Sequence, residues 1–250
     1  MQRDERQPLA TGQVRHNSTT GRWSKEGRDG RRMNNRVRIV GLGRVGRALH
    51  ARLHERGLLG GDDADVVLLC VPDSAIGTVA ASIDIGPWVA HVSGATPLTR
   101  LAPHHRRFSL HPLQTFTTAR GAEQIDGAWA AVTAENAEAA SVAREVAERL
   151  GLRAFDLAED RRATYHAGAV MASNFLVTLY RAASAALVAA GAPPEALVPL
   201  MRRTIDNGFD LTGPIARGDL DTVRAHIEAL RRDLPEFETM YRALAEVTRR

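Results

Sequence analysis

Lysine and cysteine are nearly absent from this sequence, since Lys25 is the only lysine and Cys70 the only cysteine. A single cysteine excludes an intramolecular disulfide and a cysteine-rich metal site, and it favours a reducing compartment. Without a lysine after residue 25 there is no Walker A loop, because that loop requires one. The H-E-x-x-H and G-x-S-x-G motifs are also missing, and the remaining histidines lack ligand spacing, so no metal site is expected.

Long apolar runs are missing too. The best candidate, residues 167–180, falls short of the roughly 18 to 20 residues that a membrane span needs, and it contains Asn174. The first residues contain no apolar stretch of the kind that a secretory signal has. We therefore expect a cytoplasmic protein that does not enter a membrane.

Excess positive charge is confined to the first 32 residues. They hold eight of the 33 basic and four of the 29 acidic residues, so the remaining 25 of each sign balance. Binding a phosphodiester backbone needs clustered cations, so the neutral body is not expected to bind nucleic acid. Residues 1–32 lack apolar periodicity and are predicted to form a disordered basic arm. Two alternatives stay open: translation starts at Met33, or the arm contacts RNA or an acidic partner.

Short β-rich runs alternate with helical patterns from Val37 onward. This alternation predicts an α/β domain over residues 33–158, with a Rossmann-type, mostly parallel sheet and helices on its faces. The predicted strands cover residues 36–40, 66–71, 88–93, 108–111, 128–133 and 153–157, and the predicted helices cover residues 45–56, 74–82 and 137–150.

Strand signals stop near Glu159, and residues 159–250 are predicted to form an all-helical domain of four stretches. The breaks fall at residues 191–194, 212–214 and 234–235. The first stretch, from about Arg161 to residue 190, is long and mostly apolar, so protein must cover it on more than one side. We expect a homodimer formed through this helix.

A G-x-G-x-x-G pattern follows directly on the first predicted strand and opens the first predicted helix. Gly41 allows the tight turn, Gly43 lets a pyrophosphate approach the backbone, and Gly46 lets the helix pack closely on the strand. Free helix N–H groups and the helix dipole face the anion. The alternative is a glycine-rich turn without a ligand. The loop residues predicted to hold a dinucleotide are Gly41, Leu42, Gly43, Arg44, Val45 and Gly46.

Six segments of the body carry a family resemblance: residues 64–76, 91–95, 109–116, 165–169, 172–176 and 211–219. Over about residues 37–230 the chain resembles the Rossmann-like oxidoreductases whose helical C-terminal domain is a domain of unknown function of the 2520 type. That family is similar to pyrroline-5-carboxylate reductases and β-hydroxyacid dehydrogenases. The resemblance implies hydride transfer between NADP or NAD, with NADP slightly favoured, and a small keto, imino or hydroxy acid between the two domains. Fold likeness alone does not fix function. Further cofactor contacts are expected at Val71, Pro72, Asp73, Ser93 and Gly94.

The usual second strand of a Rossmann domain, whose end reads the adenosine ribose, has no counterpart here. Only residues 57–64 separate the first predicted helix from the next strand, too few for a strand and its return connection. We predict that pyrophosphate recognition survives and that NAD and NADP are poorly distinguished or both bound weakly. In another register the strand at 66–71 is the second strand and Asp73 reads the ribose, although Asp73 lies farther from the loop than the usual ~20 residues. A catalytically silent nucleotide-binding or scaffold protein is the alternative function.

The β-hydroxyacid dehydrogenases carry a proton-donating lysine four residues before an asparagine on one helix, and this chain has Val170 at that place before Asn174. His166 lies eight residues before Asn174, and residues eight apart share a helix face. We therefore expect both side chains in one cleft and predict a catalytic role for Asn174 as well. His166 is the predicted proton donor, since imidazole titrates near neutral pH. A packed or capping histidine is the alternative.

Polar residues are also expected at the carboxyl ends of two strands, where α/β proteins bind ligands. His111, a predicted catalytic residue, and Gln114, predicted to contact the substrate, follow one strand. Ser93 and Gly94 follow the preceding one, and ordinary turn formation is the alternative for all four. The loop between two later helices is predicted to bind substrate, with Arg217 as a carboxylate clamp. Alternatively, Arg217 pairs with Asp219, or the next helix is capped there. The residues predicted in this loop are Thr212, Gly213, Arg217 and Asp219.

Overall fold

Six strands form one sheet in the computed structural model, which describes residues 36–249. They lie side by side in chain order, and every neighbouring pair is parallel except β4 and β5. All six predicted strands are confirmed to within two residues at either end. The predicted arm, residues 1–32, lies outside the described residues. The strands are β1 (Val37–Val40), β2 (Val66–Leu69), β3 (Trp88–His91), β4 (Arg107–Leu113), β5 (Trp129–Ala134) and β6 (Arg153–Asp156).

Three helices accompany the sheet, and the helical part follows it. The best predicted of the three runs from the capping residue Asn136, whose side chain accepts from the Ala139 N–H, to Gly151, whose φ of 84° ends it. The three are α1 (Arg44–Glu55), α2 (Ile76–Ala81) and α3 (Ala137–Leu150). The helical part contains α4 (Arg162–Val170), α5 (Leu176–Ala189), α6 (Leu197–Asp206), α7 (Leu220–Asp233) and α8 (Glu238–Thr248).

The predicted first helical stretch, residues 161–190, is interrupted. A π-helical segment, Met171–Phe175, joins α4 to α5 without breaking the chain direction. A π turn holds one more residue than an α turn, so it rotates the residues after it relative to those before it. Nothing in the apolar pattern of this stretch signals the extra residue.

The two faces of the sheet carry different helices. Val66 and Leu68 point to the face covered by α1 and α3, whereas Val67 and Leu69 point to the face covered by α2. Crossovers between parallel strands are almost always right-handed, so two crossovers that advance in the same direction place their helices on the same face. Here α1 and α2 lie on opposite faces, although the strand order advances steadily. Compared with the usual Rossmann sheet, this sheet therefore lacks the strands that come between α1 and β2.

A single bridge marks the place of the lost strand. The chain that leaves α1 meets the edge of β1 away from β2, where Leu59 pairs in parallel with Val37. The Val37 N–H donates to the Leu58 carbonyl, and the Gly60 N–H donates to the Val37 carbonyl, both at 2.9 Å. The chain then crosses to β2 on the other side of β1, which is the place of the fourth strand in the usual order 3-2-1-4-5-6. The predicted shortening is confirmed, and one bridge remains of the second strand.

The helical part buries very little of its apolar surface. In the described chain after residue 159, the buried apolar residues are Ala182, Leu197 and Ile227. The expectation that protein covers the first long helix is therefore not met within one chain. By length and composition one helix of the described residues, Glu159–Ala189, is able to cross a membrane, although no run of that length was predicted.

Candidate functional site

The glycine loop has the geometry of an open anion cradle. Gly41 adopts φ +95°, and a Cβ there would lie 2.6 Å from the Cys70 carbonyl oxygen. A Cβ at Gly46 would lie 1.9 Å from the Gly41 carbonyl oxygen, so α1 packs on the loop backbone. At Gly43, by contrast, a Cβ meets no atom within 4 Å, and no side chain caps α1. The start of α1 is thus uncapped by side chains and open at Gly43, as an anion site at a helix N-terminus requires.

Polar side chains join the ends of β2 and β3 beside this loop. The Ser93 hydroxyl donates to Asp73 Oδ2 at 2.8 Å, and it accepts from the Thr96 N–H at 3.0 Å. The Asp73 carboxylate is exposed but directed toward β3. It therefore lies on the opposite side of β2 from β1, which is not the side where a second strand would read an adenosine ribose.

Two histidines and a tyrosine converge over Gly94. The rings of His111 and His166 have centroids 5.9 Å apart, and the Tyr165 hydroxyl lies 2.7 Å from His111 Nδ1. A Cβ at Gly94 would lie 2.5 Å from His166 Cδ2 and 2.9 Å from His111 Nε2. Both imidazoles therefore meet above the backbone of Gly94, at the carboxyl edge of the sheet.

Arg162 anchors the start of α4 to the sheet. Its side chain is 4% exposed, and it donates to the Ser93 carbonyl at 2.6 Å and to Thr133 Oγ1 at 3.0 Å. Burial lowers the pKa of Arg162, and the Glu159 carboxylate opposes that shift. Because Tyr165 and His166 lie on the next turn of α4, this anchor positions both over β3 and β4.

Burial keeps His111 and Tyr165 uncharged at neutral pH. It lowers the pKa of His111 to about 4, helped by the neighbouring His166 and Arg162, and it raises the pKa of Tyr165 to about 12. A neutral imidazole faces a protonated phenol at neutral pH. We assign the Tyr165 hydroxyl as the donor and His111 Nδ1 as the acceptor of their hydrogen bond. The proton of the neutral His111 ring then lies on Nε2, toward Gly94.

The buried His91 predicts a loss of stability in mild acid. Burial, followed by the charge of Arg162, lowers the pKa of His91 to about 4. The unfolded chain, with a histidine pKa of about 6.5, binds more protons between pH 6.5 and 4, so stability falls as the pH falls through that window. His91 alone should remove about 2 kcal/mol between pH 7.5 and pH 5. Urea unfolding at both pH values measures this.

The control for that expectation uses two matched variants. His91→Asn keeps a polar group and removes the titration, so the difference between the two pH values should shrink by about 2 kcal/mol. His105→Asn changes an exposed histidine and should leave the difference unaltered. An equal difference in all three proteins would contradict the burial argument.

Asn174 follows α4 rather than belonging to it. It lies in the π segment, is exposed, and its Oδ1 is 3.2 Å from the Ser173 hydroxyl. A continuous α-helix would place His166 and Asn174 on one face, whereas the π turn between them changes their relative direction. No hydrogen bond in the described residues joins the two side chains. The catalytic role predicted for Asn174 stays a prediction.

The other predicted substrate residues lie in two surface regions. Gln114 is exposed and lines a cavity of about 360 Å³ with Phe116, Thr117 and Arg120. In the later loop, Asp219 caps α7 by accepting from the Thr222 N–H and hydroxyl.

The remaining predicted residues of that loop lie in the helical part. Thr212 and Arg217 are exposed, and Gly213 adopts φ +97°. Residues 214, 215 and 218–220 line a groove against α7 and α8. In the described part of the chain, no hydrogen bond joins Arg217 to His111 or His166, so its role as a clamp also stays a prediction.

Sequence reasoning missed three residues of the site: His91, Arg162 and Tyr165. Tyr165 immediately precedes the predicted donor, and a buried arginine at a helix start is a signal only once the sheet beneath it is known. Among the described residues, no group of three or more histidine, cysteine, aspartate or glutamate side chains is placed to hold a metal ion.

One known family matches the second half of the chain. Residues 128–248 match the family described as Domain of unknown function (DUF2520). The resemblance predicted from the sequence is confirmed. No curated protein matches the chain.

Solved structures of similar fold span nearly the whole body. A proposed NADP oxidoreductase from Bacteroides fragilis is 20% identical with a TM-score of 0.72, covering 87% of this chain and 98% of its own. A protein from Thermotoga maritima is 24% identical with a TM-score of 0.69, covering 85% and 96%. Pyrroline carboxylate reductase from Plasmodium falciparum, solved with NADP bound, is 11% identical with a TM-score of 0.53, covering 87% and 98%. At these identities the likeness shows the fold alone, which is a Rossmann-type sheet followed by a helical part.

Proposed function

We propose, from the premise that residues 128–248 carry a DUF2520 domain on a Rossmann-type fold, that this protein is an NAD(P)-linked oxidoreductase. Its substrate is a small keto, imino or hydroxy acid held between the sheet edge and α4. One observation carries the proposal: the open glycine loop and the cluster of His111, Tyr165 and His166 lie at the same edge of one sheet. The similar reductase that holds NADP supports a nicotinamide cofactor.

Each part of the site has its own role in the proposed reaction. The N–H groups at the start of α1 would hold the diphosphate of the cofactor, and its dihydronicotinamide would supply the hydride. His111, neutral and with its proton on Nε2, donates a hydrogen bond to the carbonyl oxygen or imine nitrogen of the substrate. This fixed donor stabilises the negative charge that develops on that atom in the transition state. His166, across Gly94, donates the proton that completes the reduction. Tyr165 holds the orientation and tautomer of His111.

The test is consumption of NADH or NADPH with a panel of α-keto and cyclic imino acids, followed by absorbance. We expect turnover with at least one class of substrate. His166→Ala should then lower kcat by about 100-fold or more, the usual contribution of a positioned acid. His105→Ala removes an exposed histidine away from the site and should leave kcat unchanged. No turnover with any substrate would favour a silent nucleotide-binding protein instead.

We also propose that a second copy of the chain covers the helical part. Large apolar side chains lie exposed along the helices, where monomeric proteins rarely leave such extended patches. A bilayer is a poorer cover, because Asn174 and Arg181 lie within the apolar stretch and are costly in hydrocarbon. The exposed apolar residues of the first helical stretch are Met171, Phe175, Leu176, Val177, Leu179 and Val188.

Light scattering at micromolar concentration should give twice the chain mass of 27.2 kDa. Val177→Arg places a charge in the exposed apolar surface of α5 and should produce monomer or aggregate. Ile85→Arg changes an apolar side chain that is more exposed, at 72%, but lies on the sheet domain, and should leave the dimer intact. A monomeric native protein would contradict the proposal, and recovery only with membranes would replace it with a lipid-facing helix.

A further inference from the structure

The sheet extends to only one side of the glycine loop. On the β2 side, the loop touches Cys70 and Val71, and the polar ends of β3 and β4 continue the edge as far as His111. On the other side, β1 is the edge of the sheet, apart from the bridge to Leu59 at its first residue. A dinucleotide across a Rossmann edge needs both sides, because its adenosine half lies against the second strand and its nicotinamide half toward the fourth.

The nicotinamide side fits the cofactor. Gly43 leaves open space at the start of α1, and the cluster around Gly94 offers polar groups beyond it. The adenosine side does not fit. The bridge at Leu59 lies beside the first residue of β1, whereas a ribose-reading acid belongs at the opposite, carboxyl end of the neighbouring strand. Asp73, the other carboxylate considered for that task, is bonded to Ser93 on the β3 side.

The acids on the connection from the bridge to β2 are also badly placed. Asp62 pairs with Arg38 at 2.8 Å, and its side chain is 96% exposed. Asp63 is exposed beside it. No strand in the described residues carries these acids to the level of the glycine loop.

We infer that this chain recognises the nicotinamide mononucleotide half of its cofactor and leaves the adenosine half in solvent. The inference rests on the proposed function and narrows it. NADH and NADPH then bind alike, because the 2′-phosphate that separates them sits on the half without a site. Reduced nicotinamide mononucleotide, which has no adenosine, keeps most of the affinity and loses only the contacts of the second phosphate.

The experiment is a set of calorimetric titrations of the full chain with NADH, NADPH, reduced nicotinamide mononucleotide and 2′,5′-ADP. The dissociation constants of NADH and NADPH should agree within about fivefold, and that of the mononucleotide should lie within about tenfold of them. The adenosine fragment 2′,5′-ADP should not bind up to about 1 mM. A tenfold or larger preference for NADH or NADPH would overturn the inference. So would a mononucleotide bound 100-fold more weakly than either.

A double variant tests the adenosine side directly. Asp62→Asn with Asp63→Asn removes the acids on the connection and should leave the affinity for NADH unchanged. A tenfold loss would show that one of them reads the ribose, and the inference would fail while the proposed function stood. If neither the dinucleotides nor the mononucleotide bind, the proposed function and the inference fail together.

Discussion

Replacing Gly43 by valine should abolish the binding of NADH and NADPH while the protein stays folded. The φ of −69° and ψ of −167° at this residue suit any amino acid, and a Cβ there meets no atom within 4 Å. The valine side chain would occupy the space in which phosphate oxygens approach the α1 N–H groups. We expect the dissociation constants to rise by at least about 100-fold, or about 2.7 kcal/mol, in a fluorescence titration, with little change in Tm.

Two other glycines serve as controls for that result. Gly61→Val changes a residue whose Cβ would meet only the Asp63 carboxylate, at 3.9 Å, and binding should not change. Gly46→Ala should instead destabilise the whole domain, since its Cβ would clash with the Gly41 carbonyl. Native affinity in folded Gly43→Val would show that the loop is a turn without a ligand.

Replacing Arg162 by alanine should cost about 3 kcal/mol in the free energy of unfolding. The change removes a buried side chain and leaves the Ser93 carbonyl without its short charged hydrogen bond. It also frees the first turn of α4 from Thr133, so Tyr165 and His166 lose their fixed position above β3 and β4. Urea unfolding followed by circular dichroism measures the loss of stability.

The neighbouring arginine provides the matched control. Arg161 is on the surface, with a side chain that is 74% exposed and paired to the exposed Asp160. Arg161→Ala should change the stability by no more than about 0.5 kcal/mol. Equal effects of the two variants would mean that the buried anchor contributes nothing beyond a surface charge.

The sheet domain was well predicted because each of its elements has a local cause. The strands are short β-rich runs, and α3 has a capping asparagine and a terminating glycine in sequence. The shortened connection after α1 was predictable from its length alone. Its consequence for the sheet, with β1 at the edge and a bridge at Leu59, required the strand order.

The candidate site was predicted only in part, because its contacts join residues far apart in the chain. His111 and Tyr165 are 54 positions apart, and Arg162 and Ser93 are 69 apart. Strand ends and motif positions indicated His111, Ser93 and Gly94, but no spacing rule pairs them with α4. The π segment escaped prediction since a single extra residue hardly alters an apolar pattern.

Because no full strand covers β1, this edge of the sheet decides whether the protein tends to aggregate through strand pairing at high concentration. An uncovered sheet edge offers N–H and C=O groups that another chain can pair with, which promotes fibrillar aggregation. In β1 the N–H and C=O of Val37 are hydrogen-bonded to Leu58 and Gly60. Because successive residues of a strand direct these groups to opposite sides, Ile39 is the one remaining residue of β1 whose N–H and C=O face outward. β1 is four residues long and contains the charged Arg38, so it offers an incoming chain too few free backbone groups for stable pairing. We therefore expect little fibrillar aggregation through this edge.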